Sequence, residues 1–226
     1  MVAERFDDAY IPDIIPKDDL DYMDQGGYGA RMGWGERPAV LVVDMLEIFA
    51  SSDHLGRSES SGSTISETKR LLSAAREADL PVFYTRLADD ETTLRNHRGI
   101  IDEKKDGAFD NVDIDAASTI HPELTPEDGD VVLEKPKLSA FFDTHLANVL
   151  RLEGIDTLVI VGLSTSGGVR SSVVDANCHN IRPIVPAECV GDRSEISHEV
   201  TLFNIDMKFG DVESVSDTVN RISEYQ

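Results

Sequence analysis

The sequence predicts a three-layer α/β protein, with a six-stranded, mostly parallel sheet and helices on both faces. Three observations carry this reading. Short continuous apolar runs rich in β-branched residues recur from Pro38 onward, as expected of strands buried on both faces. Segments with helical spacing and glycine stops alternate with them. Several runs also end on a polar residue or a small-residue loop, and in an open parallel sheet ligands bind beyond the carboxyl ends of the strands.

Residues 1–36 read as an N-terminal arm outside the 37–226 domain, because they are acidic and hold Pro12, Pro16 and Gln25-Gly26-Gly27-Tyr28-Gly29. Those glycines precede any plausible strand, so a dinucleotide-binding role fails its context. The arm is expected to pack on a partner subunit, with a frayed tail as the alternative. Ala39 to Val43 is the first strand and ends at Asp44. Gly56, Gly62 and the serines between them read as a solvated loop. Thr64-Ile65-Ser66-Glu67 reads as a capping box opening a helix to about Asp79, with Leu71, Leu72, Ala75 and Ala78 inward. Val82 to Thr85 is the second strand, and the polar, irregular residues 87–130 are expected to form a lid or subunit contact.

Val131 to Leu133 resumes the pattern and delivers Glu134 and Lys135 at its end. A helix from about Thr144 to Glu153 stops at Gly154. Thr157 to Val161 leads into the loop Gly162-Leu163-Ser164-Thr165-Ser166-Gly167-Gly168 and a helix to about Cys178. Arg182 to Val185, a helix from about Ser197 to Phe209 closed by Gly210, Val212 to Val215 and a terminal helix complete the chain.

The 226 residues carry 43 Asp plus Glu against 21 Lys plus Arg, a net charge of −22. Such acidity counts against nucleic-acid or anionic-membrane partners, which need clustered cations. No apolar run approaches the roughly 20 residues that span a bilayer, and the acidic N-terminus does not read as a signal peptide, so a cytoplasmic protein is expected. Arginine outnumbers lysine 14 to 7, and this acid excess suits a surface kept soluble in concentrated salt. An ordinary acidic cytosolic protein is the alternative. Cys178 and Cys189 make neither a disulfide framework nor a CxxC pair.

Asp44, Lys135 and the Gly162–Gly168 loop fall at strand ends and are the candidate site. An Asp–Lys bridge that merely tolerates burial is the bland alternative. The six histidines show no metal-ligand spacing, and Asp53-His54 has only a superficial likeness to the metal ligands of nicotinamidases, so neither metal nor cofactor is expected. Phe49, Phe141 and Trp34 could line a pocket or belong to the core.

Three motifs together resemble the isochorismatase-like cysteine hydrolases. They are Ala39-Val40-Leu41-Val42-Val43-Asp44-Met45, Lys135-Pro136-Lys137-Leu138-Ser139-Ala140-Phe141-Phe142, and Val161 through Arg170 followed by Asp175-Ala176. Pro183-Ile184-Val185-Pro186 through Gly191-Asp192-Arg193, with Phe203 through Val212, is most similar to the N-carbamoylsarcosine amidohydrolase branch. The likeness covers about residues 30–216.

The resemblance implies a small-molecule hydrolase of amide or carbamoyl bonds, forming a homo-oligomer (dimer or tetramer). It implies Asp44 as general base, Lys135 as electrostatic partner, and Ser164, Gly167 and Gly168 in an oxyanion loop with a cis peptide before Ser164. Arg193 matches an arginine suited to a substrate carboxylate, the alternative being a surface ion pair. One departure dominates: Gly168 stands where the family has its nucleophilic cysteine, without which acyl-enzyme chemistry is not expected. Cys178 lies ten residues along the helix, about 15 Å at helical rise, and cannot substitute. The expectations left open are an amide or carbamoyl site without its nucleophile, a non-catalytic binding or scaffold subunit, and the isochorismatase solution. In that last case family members with glycine here cleave a vinyl ether, Asp44 donating a proton to carbon before water attacks.

Overall fold

The apolar runs become strands of one sheet, and the order of those strands places the site. The computed structural model describes residue 6 and residues 8–50, 61–87 and 118–225. Within these, β1 (Pro38–Val43), β2 (Val82–Leu87), β3 (Val131–Lys135), β4 (Thr157–Leu163), β5 (Arg182–Pro186), β6 (Val190–Gly191) and β7 (Asp211–Glu213) form a seven-stranded sheet. The order is β3-β2-β1-β4-β5-β7, with β6 paired to β4, and every pairing is parallel. The strand beyond the expected six is β6, whose two residues are too short to stand out as an apolar run.

The helices are α1 (Lys17–Gln25), α2 (Glu47–Ala50), α3 (Ser61–Glu77), α4 (Leu146–Glu153), α5 (Arg170–Cys178), α6 (Glu195–Lys208) and α7 (Val215–Ile222). Alternate residues of β1 serve the two faces of the sheet. Val40 and Val42 pack with Leu71, Leu72 and Ala75 of α3 and Ile222 of α7. Ala39, Leu41 and Val43 pack with Leu146 and Leu150 of α4, Val173 of α5 and Leu202 and Ile205 of α6. All six β1 residues are buried, which explains the absence of polar alternation in that run.

The helix starts differ from expectation where tertiary burial intervenes. Helix α3 begins at Ser61, so Thr64 lies inside it rather than at its cap. Thr64, Thr68, Leu71, Leu72 and Ala75 form one buried stripe, so Thr64 belongs to the packed face of the helix, while Gly62 and Ser63 before it are exposed. Helix α4 starts at Leu146, whose N–H donates to the Thr144 hydroxyl, and α6 starts at Glu195 under a Ser194 cap.

The described contacts of the arm are with its own chain. Phe6 packs on Phe203 and Met207 of α6. Arg31 reaches Asp206 at 2.6 Å, and the N–H groups of Met32 and Gly33 donate to Asp211. Gln25 to Gly29 end α1 and turn the chain back, with the Gly29 N–H donating to the Met207 carbonyl. Asp53-His54, Gly56 and residues 88–117 of the expected lid lie outside the described residues. Among the described residues no helix is long and apolar enough to cross a membrane.

From β1 the chain crosses to β2 on one side, whereas β4 lies on the other. The strand order therefore reverses between β1 and β4, and a crevice opens beyond their carboxyl ends. The register pairs Val43 with Gly162, so Asp44 and the loop after Leu163 emerge side by side.

Candidate active site

Asp44 follows β1 with φ +48°, a left-handed conformation that aspartate tolerates better than most residues, and it is 5% exposed. Two bonds to Thr85, at the same level on β2, hold it there. The Asp44 N–H donates to Thr85 Oγ1 at 3.1 Å, and Thr85 Oγ1 donates to Asp44 Oδ1 at 2.8 Å. The other carboxylate oxygen, Oδ2, lies 2.6 Å from Lys135 Nζ.

Lys135 ends β3, two strands and therefore roughly 10 Å from β1. Only a long side chain can cross β2 from there, and Lys135 does so fully buried. Its Nζ also donates to the Lys137 carbonyl at 3.0 Å. The neighbouring Glu134 alternates outward and pairs with Arg86. Burying an ion pair carries a desolvation cost that good geometry and extra hydrogen bonds must offset. Here one carboxylate accepts from a lysine and a hydroxyl while the lysine serves a second acceptor.

The loop after β4 is built around two glycines. Gly162 has φ +135°, and a Cβ there would lie 2.0 Å from the Val43 carbonyl oxygen, so no side chain fits where β4 hugs β1. The Leu163–Ser164 peptide is cis, as the family resemblance implies. Residues Thr165–Val169 then form a wide helical turn leading into α5. The Ser172 hydroxyl donates to the Gly168 carbonyl and accepts from the Ala140 N–H, tying this turn to the segment after Lys135.

Gly168 is buried, and a Cβ added to it would point at the ion pair. It would lie 3.4 Å from Asp44 Oδ2, 3.3 Å from the Leu138 carbonyl oxygen and 3.0 Å from Val43 Cγ1. Asp44, Lys135 and Gly168 thus come together from three different strand ends. Ser164 lies in the same loop, and its Oγ would be 2.7 Å from a Cβ at Gly167.

Two contacts from the C-terminal side hold the turn. The Ser166 N–H donates to Asp192 Oδ2 at 2.7 Å, and Thr165 Oγ1 lies 2.9 Å from His198 Nδ1 on α6. Burial lowers the His198 imidazole below its ordinary range, while Glu199, Asp192 and Glu195 pull it back up. Because the folded state then binds this proton less readily, stability is lost as pH falls from about 6.5 toward the lower folded value. His198→Gln is expected to flatten the fall in urea midpoint between about pH 7 and pH 5; an unchanged slope would place the loss elsewhere.

Arg193 follows β6, is exposed, and stacks over the Phe49 ring with 5.6 Å from guanidinium carbon to centroid. Beside it opens a groove of about 1080 Å³ lined by Arg70, Glu188, Asp192, Arg193, His198 and Ser216, among others. Neither Asp44 nor Lys135 lines this groove. Phe141 stacks on His179 and joins the core, while Trp34 pairs with Tyr225 and Glu213 beside the C-terminal helix; of the three aromatics, Phe49 lies against Arg193.

Both cysteines lie outside the Gly162–Gly168 loop. Burial pushes the Cys189 thiol up to about 12, and Cys178 is exposed at the far end of α5. Among the described residues no group of His, Cys, Asp and Glu is arranged to hold a metal ion. Thr85, Ser172 and His198 are contributors that sequence reasoning missed. Thr85 alone left a signal, since it ends its apolar run on a polar residue as Asp44 does.

The family model of the isochorismatase domain matches residues 38–217. Maleamate amidohydrolase of Pseudomonas putida is 35% identical over 198 residues, 88% of this chain and 92% of that protein. N-carbamoylsarcosine amidase of Arthrobacter sp. is 35% identical over 197 residues, 85% of this chain and 74% of that protein. A crystal structure of a cysteine hydrolase from Pseudomonas syringae pv. phaseolicola superposes with a TM-score of 0.78 at 23% identity, covering 87% of this chain and 99% of that one.

Proposed function

From the premise that this chain belongs to the isochorismatase family, we propose that its site binds a small amide or N-carbamoyl compound but forms no acyl-enzyme, because glycine replaces the thiol at position 168. The observation that carries this is the placement of Gly168, whose projected Cβ lies 3.4 Å from Asp44 Oδ2. A thiol on that carbon would sit beside the one carboxylate oxygen not held by Thr85. The similarity to a maleamate amidohydrolase and an N-carbamoylsarcosine amidase supports the substrate class.

The residues divide the work by chemistry. Asp44 Oδ2 is the base, able to take a proton from a nucleophile at 168 and return it to the leaving nitrogen. Lys135 offsets the charge of Asp44. With a nucleophile at 168, the main-chain N–H groups of Ser164 and Gly168, at the start of a helix, would hold the oxyanion, since those of Ser166 and Gly167 already donate to Asp192 and to the Ser164 carbonyl. Arg193 over Phe49 supplies a flat cationic grip for a substrate carboxylate. In this reading the protein binds its small molecule as a cytoplasmic homo-oligomer, without metal or cofactor.

The test is binding without turnover. Maleamate, N-carbamoylsarcosine and ureidoacrylate are titrated calorimetrically into the parent chain and assayed for ammonia release before and after Gly168→Cys. At least one is expected to bind the parent, and the variant is expected to turn that one over. Failure of all three to bind or react would remove the substrate class. Turnover of isochorismate by the parent, abolished by Asp44→Ala, would install the vinyl-ether reading instead.

The net charge of −22 supports a second proposal, adaptation of the surface to salt. At about 1 M ionic strength screening falls to roughly 3 Å, which removes most repulsion between surface carboxylates. The melting temperature is expected to rise by about 5–10 °C between 0.1 M and 2 M NaCl, roughly 2–3 kcal/mol for a domain of this size. A flat or falling series would end the proposal.

A further inference from the structure

We infer that Thr85 is a positioning residue that determines which oxygen of Asp44 handles the proton. The inference rests on the reading of Asp44 as the base of this site and goes beyond it by assigning the two oxygens different tasks.

A carboxylate that turns about its Cβ–Cγ bond exchanges its oxygens, so a base presenting one oxygen to a nucleophile needs something to stop that rotation. Thr85 is 1% exposed and has two bonds to the same residue. The Asp44 N–H can only donate, so it occupies a lone pair of the Thr85 hydroxyl. The hydroxyl is then left to give its own hydrogen to Asp44 Oδ1. The direction of both bonds follows from the chemistry of the groups. The result is a closed ring from the Asp44 main chain through the Thr85 hydroxyl to Asp44 Oδ1.

With Oδ1 committed in this way, Oδ2 faces Lys135 and the carbon position at 168. The arrangement also survives proton transfer. When Oδ2 takes the proton of a thiol, Oδ1 becomes the carbonyl oxygen of a neutral acid and still accepts from Thr85. The proton therefore stays on the oxygen that must return it to the leaving nitrogen. Lys135 cannot provide this selection, because it contacts the reactive oxygen itself. A threonine whose only task was to satisfy the Asp44 N–H would not need to reach the carboxylate as well.

The experiment uses Gly168→Cys as background and two readouts. The first is alkylation of the introduced thiol by iodoacetamide at fixed pH, followed by peptide mapping that separates it from Cys178. Here the thiol proton passes to Asp44, the sulfur–carbon bond forms and iodide leaves, so no amide substrate is involved. The second is kcat and KM for whichever amide the background variant hydrolyses. Thr85→Val is expected to slow alkylation and lower kcat by about 10- to 100-fold, the range of one hydrogen bond to a charged group, with KM changed less than about threefold. Thr85→Ser, which keeps the hydroxyl, is expected to restore both.

An inert background variant whose introduced thiol still alkylates rapidly, and slowly after Thr85→Val, would overturn the substrate class and uphold Thr85. Unchanged alkylation and kcat in a folded Thr85→Val chain would overturn the inference. So would a loss appearing mainly in KM, or one that Thr85→Ser fails to rescue. Where Thr85→Val does not fold, Thr85→Ala carries the same comparison.

Discussion

Gly168→Cys is expected to raise amide or carbamoyl hydrolysis over the parent chain by on the order of 10⁴- to 10⁶-fold, the range by which deleting a catalytic nucleophile lowers turnover elsewhere. The gain depends on three groups already in place. Asp44 Oδ2 lies 3.4 Å from the projected Cβ, Lys135 lies 2.6 Å from that oxygen, and the turn Thr165–Val169 opens α5 at that point. Space is the opposing consideration. The new Cβ would meet Val43 Cγ1 at 3.0 Å, so that methyl group must move by a few tenths of an ångström. Val43 is a side chain at the end of a strand, and Val43→Ala is the companion that relieves the contact if the single variant is poorly folded. The backbone at 168 needs no left-handed conformation, and replacing a glycine at a helix start removes an entropic penalty. Ammonia release with a burst of acyl-enzyme in mass spectrometry would be the signature. A folded variant whose thiol alkylates but which hydrolyses none of the three candidate amides would leave the scaffold without the proposed substrate class.

Lys135→Met is expected to be the most damaging single change to stability, at about 3–5 kcal/mol. Methionine fits the length of the lysine stem, so lost packing is not the cause. The cost arises because Asp44, 5% exposed, is left buried without its counter-ion at 2.6 Å, and the Lys137 carbonyl loses its donor. For a domain of this size that corresponds to a fall in melting temperature of about 6–20 °C. Adding Asp44→Asn should recover most of it, since replacing both members of a buried pair is often close to neutral. Asparagine can still accept from Thr85. A single variant that melts within a degree or two of the parent would mean that water reaches Asp44, contrary to its burial. In the Gly168→Cys background the same substitution should also abolish turnover at a temperature where the variant is still folded, and a loss there separates a catalytic role for the pair from a merely structural one.

Much of this was legible from the chain alone. The run Ala39 to Val43 reads as a strand buried on both faces, and Asp44 at its end stood out because charged residues seldom close such runs. Lys135 stood out for the same reason. The interest of glycine at 168 was legible only against a family pattern, since nothing in composition or spacing singles that position out. The helix starts were not legible. Thr64 followed by Glu67 has the composition of a capping box, yet α3 begins at Ser61 and Thr64 lies inside it, buried on the face that carries Thr68 and Leu71. The two-residue β6 was invisible for want of length, although it brings Asp192 and Arg193 to the carboxyl edge of β4.

The sequence by itself therefore determined the alternating α/β order and the strands that end in polar candidates, Asp44 and Lys135. These are local properties, carried by hydrophobic period and residue chemistry. Only the tertiary structure decided which groups meet. It set the strand order that puts Lys135 two strands from Asp44, the register that brings Gly162 against Val43, and the hydroxyl of Thr85 that leaves one Asp44 oxygen facing residue 168. Such pairings depend on crossover connections and close packing between distant segments, and no pattern within a single segment encodes them.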